Sequence, residues 1–110
     1  MIGKRHLFTL QDGTRVYRVS GTTVRKRHVE FVQGGHGLVY RWIPKTEIWI
    51  ERMSDRKDEC AILFHEVKEN RLMRYHGLKY EAAHKIANFD EQRIRRTGTN
   101  ACKLVRRVFG

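Results

Sequence analysis

The apolar residues of this chain change their spacing near residue 58, and that switch limits what the chain can fold into. After Asp58 they fall at Cys60, Leu63, Phe64 and Val67, the i, i+3, i+4, i+7 pattern of a helix with one buried stripe. Asp58 and Glu59 suit the positive end of a helix dipole, and Gly77 is a fitting breaker. A helix is therefore predicted from about Asp58 to near Tyr75. A second is predicted from about Leu78 to Arg96, striped by Ala83, Ile86, Ala87 and Ile94 and ended by the TGTN stretch.

Before the switch the period is that of strands. HLFTL and RVYRV flank Asp12-Gly13, a strong hairpin signal. SGTT reads as a loop, and HVEFV alternates so that Val29 and Phe31 share a face. QGGHG reads as a tight turn that leaves His36 exposed. LVYRWI reads as a strand stopped by Pro44, and TEIWIE as a last strand with Ile48 and Ile50 on one face and Trp49 on the other. The closing ACKLVRRVFG fits a short strand, a helical turn or a tail. Strands followed by helices predict an α+β domain with a small, mostly antiparallel sheet and two packed helices. At 110 residues it is expected to be one domain: 1–52 mainly strands, 58–96 the helix pair, 97–110 a basic C-terminal segment.

Charge points to a class of partner. There are 23 Lys and Arg against 12 Asp and Glu, a net charge of +11, which favours nucleic acid or another acidic partner. No stretch approaches the roughly 18 apolar residues of a membrane span, and the N-terminal MIGKRHLFTL lacks the apolar run of a signal peptide. Cys60 and Cys102 are the only cysteines, too few and too far apart to suggest a disulfide framework. The expectation is a cytoplasmic protein with reduced thiols, Cys60 serving as a small apolar core residue.

The stretch FHEVKENRLMRYHGLKYEAAH, residues 64–84, carries the chemistry. On an ideal helix Glu69 lies about 40° from His65, and Leu72 about 20° to the other side. Ile62 and Met73 fall within about 80°. A carboxylate and an imidazole one turn apart in an apolar sector are unlike a solvated face. Zinc in a hydrolase takes three protein ligands and keeps a fourth position open, and ligands at i, i+4 point the same way. His65 and Glu69 fit the helix pair, His84 on the second helix fits the third ligand, and Glu66 occupies the place of a general base. Glu91, two turns beyond His84, is a substitute ligand or an orienter of His84. The spacing is H-E-x-x-E where the familiar zinc motif has H-E-x-x-H. The plainer alternative is that Glu66 and Glu69 pair with Lys68, Arg71, Arg74 or Lys85 while both histidines are ordinary, partly buried and hydrogen-bonded.

Gly34, Gly35, Pro44, Glu47, Ile48, Trp49 and Ile50, then His65, Glu66, Glu69, Met73, Gly77, Tyr80, Ala83, His84, Ala87 and Glu91, carry a resemblance over about residues 29–96. In these positions the chain resembles a family of small proteins encoded by phages, mobile elements and bacteria. The layout, an edge-like strand and then a helix bearing His-Glu, is similar to minimal zincin-like metallopeptidase cores. The resemblance implies a site at the helix pair more than it implies proteolysis, and a host cytoplasm as location if the chain is phage-encoded.

Arg25, Lys26 and Arg27 in RKRH, and Arg93, Arg95, Arg96, Lys103, Arg106 and Arg107 in the acid-free end after Gln92, are candidates for gripping phosphates. Val105, Val108 and Phe109 interleave with the last of these, so part of that end is expected to dock. Trp42, Trp49, Phe31 and Tyr40 read as packing, with a base-stacking platform as the rival. His76 competes with His84 as a ligand but falls where the helix ends. Three functions follow: a zinc-dependent hydrolase using His65, Glu69, His84 and Glu66; a basic nucleic-acid-binding or accessory protein without catalysis; and an inhibitor or adaptor of a host protein.

Overall fold

The computed structural model describes residues 3–110; Met1 and Ile2, part of the stretch read above for a signal peptide, lie outside them. A four-stranded sheet in the N-terminal half is followed by helices, an α+β arrangement. Its strands are β1 (Lys4–Thr9), β2 (Arg15–Val19), β3 (Gly34–His36) and β4 (Glu47–Glu51), in the order β1-β2-β4-β3. β1/β2 and β3/β4 are antiparallel, whereas β2/β4 is parallel. The helices are α1 (Gly21–Arg25), α2 (Arg56–His76), α3 (Tyr80–Thr97) and α4 (Ala101–Phe109). Among the described residues, no helix is long and apolar enough to cross a membrane.

The Asp12-Gly13 hairpin forms as predicted, with Gly13 at φ 92° and the amide of Leu10 donating to the Thr14 carbonyl. Along β4 the side chains divide as expected. Ile48 and Ile50 face α2 in a core with Val16, Leu63, Phe64 and Val67. Trp49 faces the other side, in a cluster with Val19, Val24, Phe31 and Ile43. Tyr40, Trp42 and Phe31 pack ring against ring there, and Trp42 also stacks on His28, so these aromatics are spent on one another.

α2 begins at Asp55, whose carboxylate accepts from the amides of Lys57 and Asp58, and ends at Gly77 in the left-handed conformation. α3 ends the same way at Gly98. The ambiguous C-terminal segment is a helix, α4, capped by the Asn100 side chain. Val105 docks fully and Phe109 packs on the core, while Val108 stays exposed.

Four expectations are corrected. SGTT is not a loop: the Ser20 side chain caps α1. HVEFV is not a strand, because Phe31 is buried within a turn while Val29 is 82% exposed. LVYRWI is likewise a series of turns. QGGHG is not a tight turn but contains β3, which covers the edge of β4 and buries His36 completely. The fit there excludes side chains. A Cβ at Gly34 would lie 2.8 Å from Glu66 Cγ, and one at Gly35 would lie 2.5 Å from the Tyr40 ring. The thiols are also corrected: Cys60 in α2 and Cys102 in α4 form a disulfide across 42 residues, although Cys60 does sit in the core.

Candidate functional site

α2 is buried on nearly every side through its middle, from Glu59 to Arg71. β3 and β4 lie against it on one flank, α3 on another, and α4 on a third. Helical geometry then directs His65 and Glu69, one turn apart, towards the seam between α2 and α3. α3 is amphipathic, and its inward positions are Ala83, Ala87, Glu91 and Ile94. The small side chains of Ala83 and Ala87 let the two helices approach. Between them α3 brings His84 over Glu69 and Glu91 over His65.

The three sequence-predicted ligands come together at single atoms. His65 Nε2, Glu69 Oε2 and His84 Nδ1 form a triangle with sides of 3.3 Å (His65–Glu69), 2.8 Å (Glu69–His84) and 3.2 Å (His65–His84). His65 and Glu69 are almost wholly buried, whereas the His84 side chain is 45% exposed and forms the open side. The triangle lies in a cleft of about 380 Å³, walled by Gly34, Gly35, Tyr40, Glu66 and Tyr80.

Of the plainer alternative, the surface ion pairs of Glu66 and Glu69 do not describe these residues, whereas the hydrogen-bonded histidines do: His84 Nδ1 is hydrogen-bonded to Glu69 Oε2 and to His65 Nε2. Lys68 pairs with Asp90, Arg71 with Asp12, and Arg74 donates to the Lys45 carbonyl. Glu69 instead faces three imidazoles, because His36 of β3 also reaches it, Nε2 to Oε1 at 2.9 Å. Burial by itself would raise the Glu69 pKa, but the contacts from His36, His65 and His84 outweigh it and hold the group down at about 2. Burial would depress His65, yet Glu69 and Glu91 push it up to about 10. Glu66 has no such partner. Burial and the neighbouring Glu69 charge raise it to about 8.

Glu91 takes a different part from the one expected. Its Oε1 lies 2.8 Å from His65 Nδ1, without the alignment of a full hydrogen bond, so the imidazole it backs is that of His65 and not His84. Arg95 in turn donates to Glu91 Oε2. His76 ends α2 beside Tyr75 and Phe109, away from the cleft. His36 is the residue that sequence reasoning missed. Its only signal was its place between glycines, which suggested exposure and meant the opposite. His36, Glu66 and Glu69 form a second cluster whose potential ligand atoms lie within 4.8 Å of one another.

The basic candidates are dispersed. Arg25 is committed to Glu51 through two hydrogen bonds of 2.9 and 2.8 Å. Arg93 pairs with Asp90, and Arg95 with Asp58 and Glu91. Lys26, Arg27, Arg96, Lys103, Arg106 and Arg107 are exposed. Arg56, Lys57, Lys103 and Arg106 line a groove of about 630 Å³ between the start of α2 and α4. No protein-family model, no curated protein and no solved structure matches the chain.

Proposed function

We propose that the chain is a small metal-dependent hydrolase with a zincin-like helix pair, in which His65, Glu69 and His84 hold Zn²⁺. The observation that carries this reading is the convergence of three donor atoms on one point. A tetrahedral zinc with bonds of about 2.0–2.1 Å needs donor atoms about 3.3 Å apart. The observed sides of 3.3, 3.2 and 2.8 Å meet that requirement with small adjustment. Glu91 lies against His65 Nδ1, so Nε2 is the atom that His65 presents to the Glu69 oxygen and to His84 Nδ1. Three lone pairs so close together repel unless a cation sits among them or a proton is shared, and only His84 leaves the centre open to the cleft.

Zinc held there would polarise the bond to be hydrolysed and acidify a water molecule. Glu66 lines the same cleft, beside the point where the three ligand atoms meet. With zinc bound, Glu66 would take the proton of the acidified water and return it to the leaving group. The test is elemental analysis of untagged protein beside the His65→Ala and His84→Ala variants. About one zinc per chain, lost in both folded variants, is expected. A wild-type chain that retains no zinc after incubation with the ion ends the proposal.

A second reading has its own observation, the basic groove between α2 and α4. It describes a protein that grips nucleic acid through Lys103 and Arg106 and their neighbours, with or without hydrolysis. Binding would then fall steeply as salt rises. Binding that ignores salt, or none to DNA or RNA, counts against it. Nothing comparable favours the inhibitor or adaptor reading.

A further inference from the structure

Glu69 has two oxygens, and the environment treats them differently. Oε2 faces His65 and His84, and Oε1 faces His36. What His36 does at Oε1 depends on which of its nitrogens carries hydrogen. A chain of buried hydrogen bonds answers that question from the far end.

Arg71 is anchored by Asp12 Oδ2 at 2.8 Å and donates to Thr14 Oγ1 at 2.9 Å. A guanidinium only donates, so the Asn70 atom 2.6 Å from Arg71 Nη2 must be the amide oxygen. This fixes the orientation of the Asn70 side chain, and the NH2 group is the one turned to His36 Nδ1, at 3.1 Å. An amide NH2 donates, so His36 Nδ1 accepts and carries no hydrogen. The hydrogen is then on Nε2, where it is donated to Glu69 Oε1. Asn70 and His36 are both wholly buried, so water does not compete for these positions.

Building on the metal reading above, we infer that His36 is a positioning residue: as a neutral imidazole with hydrogen on Nε2, it occupies Glu69 Oε1 and leaves Oε2 as the single ligand oxygen. The same assignment removes His36 from the ligand set. Its Nε2 lone pair does not exist in this tautomer and its Nδ1 lone pair is taken by Asn70, so the His36–Glu66–Glu69 cluster is not a second metal centre. Glu66 therefore keeps its carboxylate for the cleft. The device spans the fold. Asp12 and Thr14 flank the first hairpin turn, Asn70 and Arg71 follow the ligand in α2, and His36 is on the edge strand.

The test uses the uniformly ¹⁵N-labelled full-length chain. Long-range ¹H–¹⁵N spectra report the tautomer of each histidine, and His36→Gln identifies the His36 signals by their loss. The expected result is a neutral Nε2–H His36 both before and after one equivalent of zinc, with only the His65 and His84 nitrogens moving to metal-bound positions. A protonated Nδ1 on His36, or His36 nitrogens that themselves become metal-bound, overturns the assignment. A second arm measures zinc affinity by chelator competition. His36→Ala is expected to weaken binding about 10- to 100-fold. His36→Gln, whose amide supplies an N–H near the Nε2 position, should restore most of it. Equal affinity in all three proteins, or equal loss in two folded variants, overturns the positioning role. A wild-type chain with the expected tautomer but no zinc binding refutes the metal reading and leaves the hydrogen-bond chain standing. Zinc binding with the opposite tautomer refutes His36 alone.

Discussion

Reducing the Cys60–Cys102 disulfide should cost this protein about 4 kcal/mol of stability. The bond joins residues 42 apart, and the cross-linked loop contains the whole of α3, the three proposed ligands and Glu66. In the chain-entropy model, closing a loop of that length removes roughly 13 cal/mol/K from the unfolded ensemble, or about 4 kcal/mol at 25 °C. α2 and α4 also pack through core contacts that do not involve the bond, so the effect is expected to fall mainly on the unfolded side. The assay is urea unfolding of the oxidised chain and of the same chain held in reductant. With a slope of about 2 kcal/mol/M, the midpoint should drop by about 2 M. The slope should rise on reduction, because an uncrosslinked chain exposes more surface. Midpoints that coincide would refute the entropic argument. Two reactive thiols in the denatured, unreduced protein would refute the pairing itself.

Further outcomes follow from the geometry of the cleft and the charged surface. Gly34→Ala places a Cβ 2.8 Å from Glu66 Cγ; it should cost about 1–3 kcal/mol in urea unfolding yet leave zinc stoichiometry unchanged, and loss of zinc would contradict the assignment of Glu66 as a non-ligand. Glu91→Gln removes the charge that backs His65 Nδ1 and should weaken zinc binding about tenfold or more by chelator competition; unchanged affinity would show that Glu91 does not orient the ligand. Glu66→Gln should keep the metal and abolish hydrolysis of any substrate found, so a variant that turns over normally would rule out the general base.

Acid should also destabilise the fold. Burial opposes ionisation of Asp12, but hydrogen bonds from Arg71, Tyr75 and Thr14 outweigh it; Glu47 is likewise held low by Lys4 and Trp49 against its burial, and Glu51 by Arg25. Folded pKa values below the unfolded ones give stability that is complete above about pH 5 and is lost as pH falls through the carboxylate range. The melting temperature should decline steadily from about pH 5 to pH 3. A flat profile would mean that these pairs contribute nothing.

The helices and the grouping of His65, Glu69 and His84 were legible for the same reason: local signals and tertiary burial agree there. The i, i+3, i+4, i+7 spacing of Cys60 to Val67 and the breakers Gly77 and Gly98 specify α2 and α3 with little help from elsewhere. Placing His65 and Glu69 in an apolar sector of that helix was enough to anticipate their burial. β2 and β4 were readable from alternation, and β4 was marked by its faces of Ile48/Ile50 and Trp49. The failures lie where tertiary contact overrides local preference. Gly34-Gly35-His36 has the composition of a turn, and it is a strand only because β4 offers an edge and Glu66 and Tyr40 leave no space for side chains. HVEFV alternates like a strand but makes only an isolated bridge from Val32 to Gly34, and a single buried ring, Phe31, anchors the segment. The disulfide was invisible because nothing local links Cys60 to a segment whose own structure was ambiguous. The tautomer of His36 depends on Asp12, Thr14, Asn70 and Arg71, contacts between distant parts of the sequence.

α2 has a consequence for how occupancy of the cleft could be read. Its buried middle packs against β3, β4, α3 and α4 together, so its central amides have no local route to solvent. Their hydrogen exchange should require opening of the whole molecule. A ligand that binds only the folded chain slows that opening by mass action, by about 2.7 kcal/mol when present at a hundred times its Kd. Exchange at Phe64 or Val67, neither of which is a proposed ligand, thereby becomes a gauge of metal occupancy that needs no substrate.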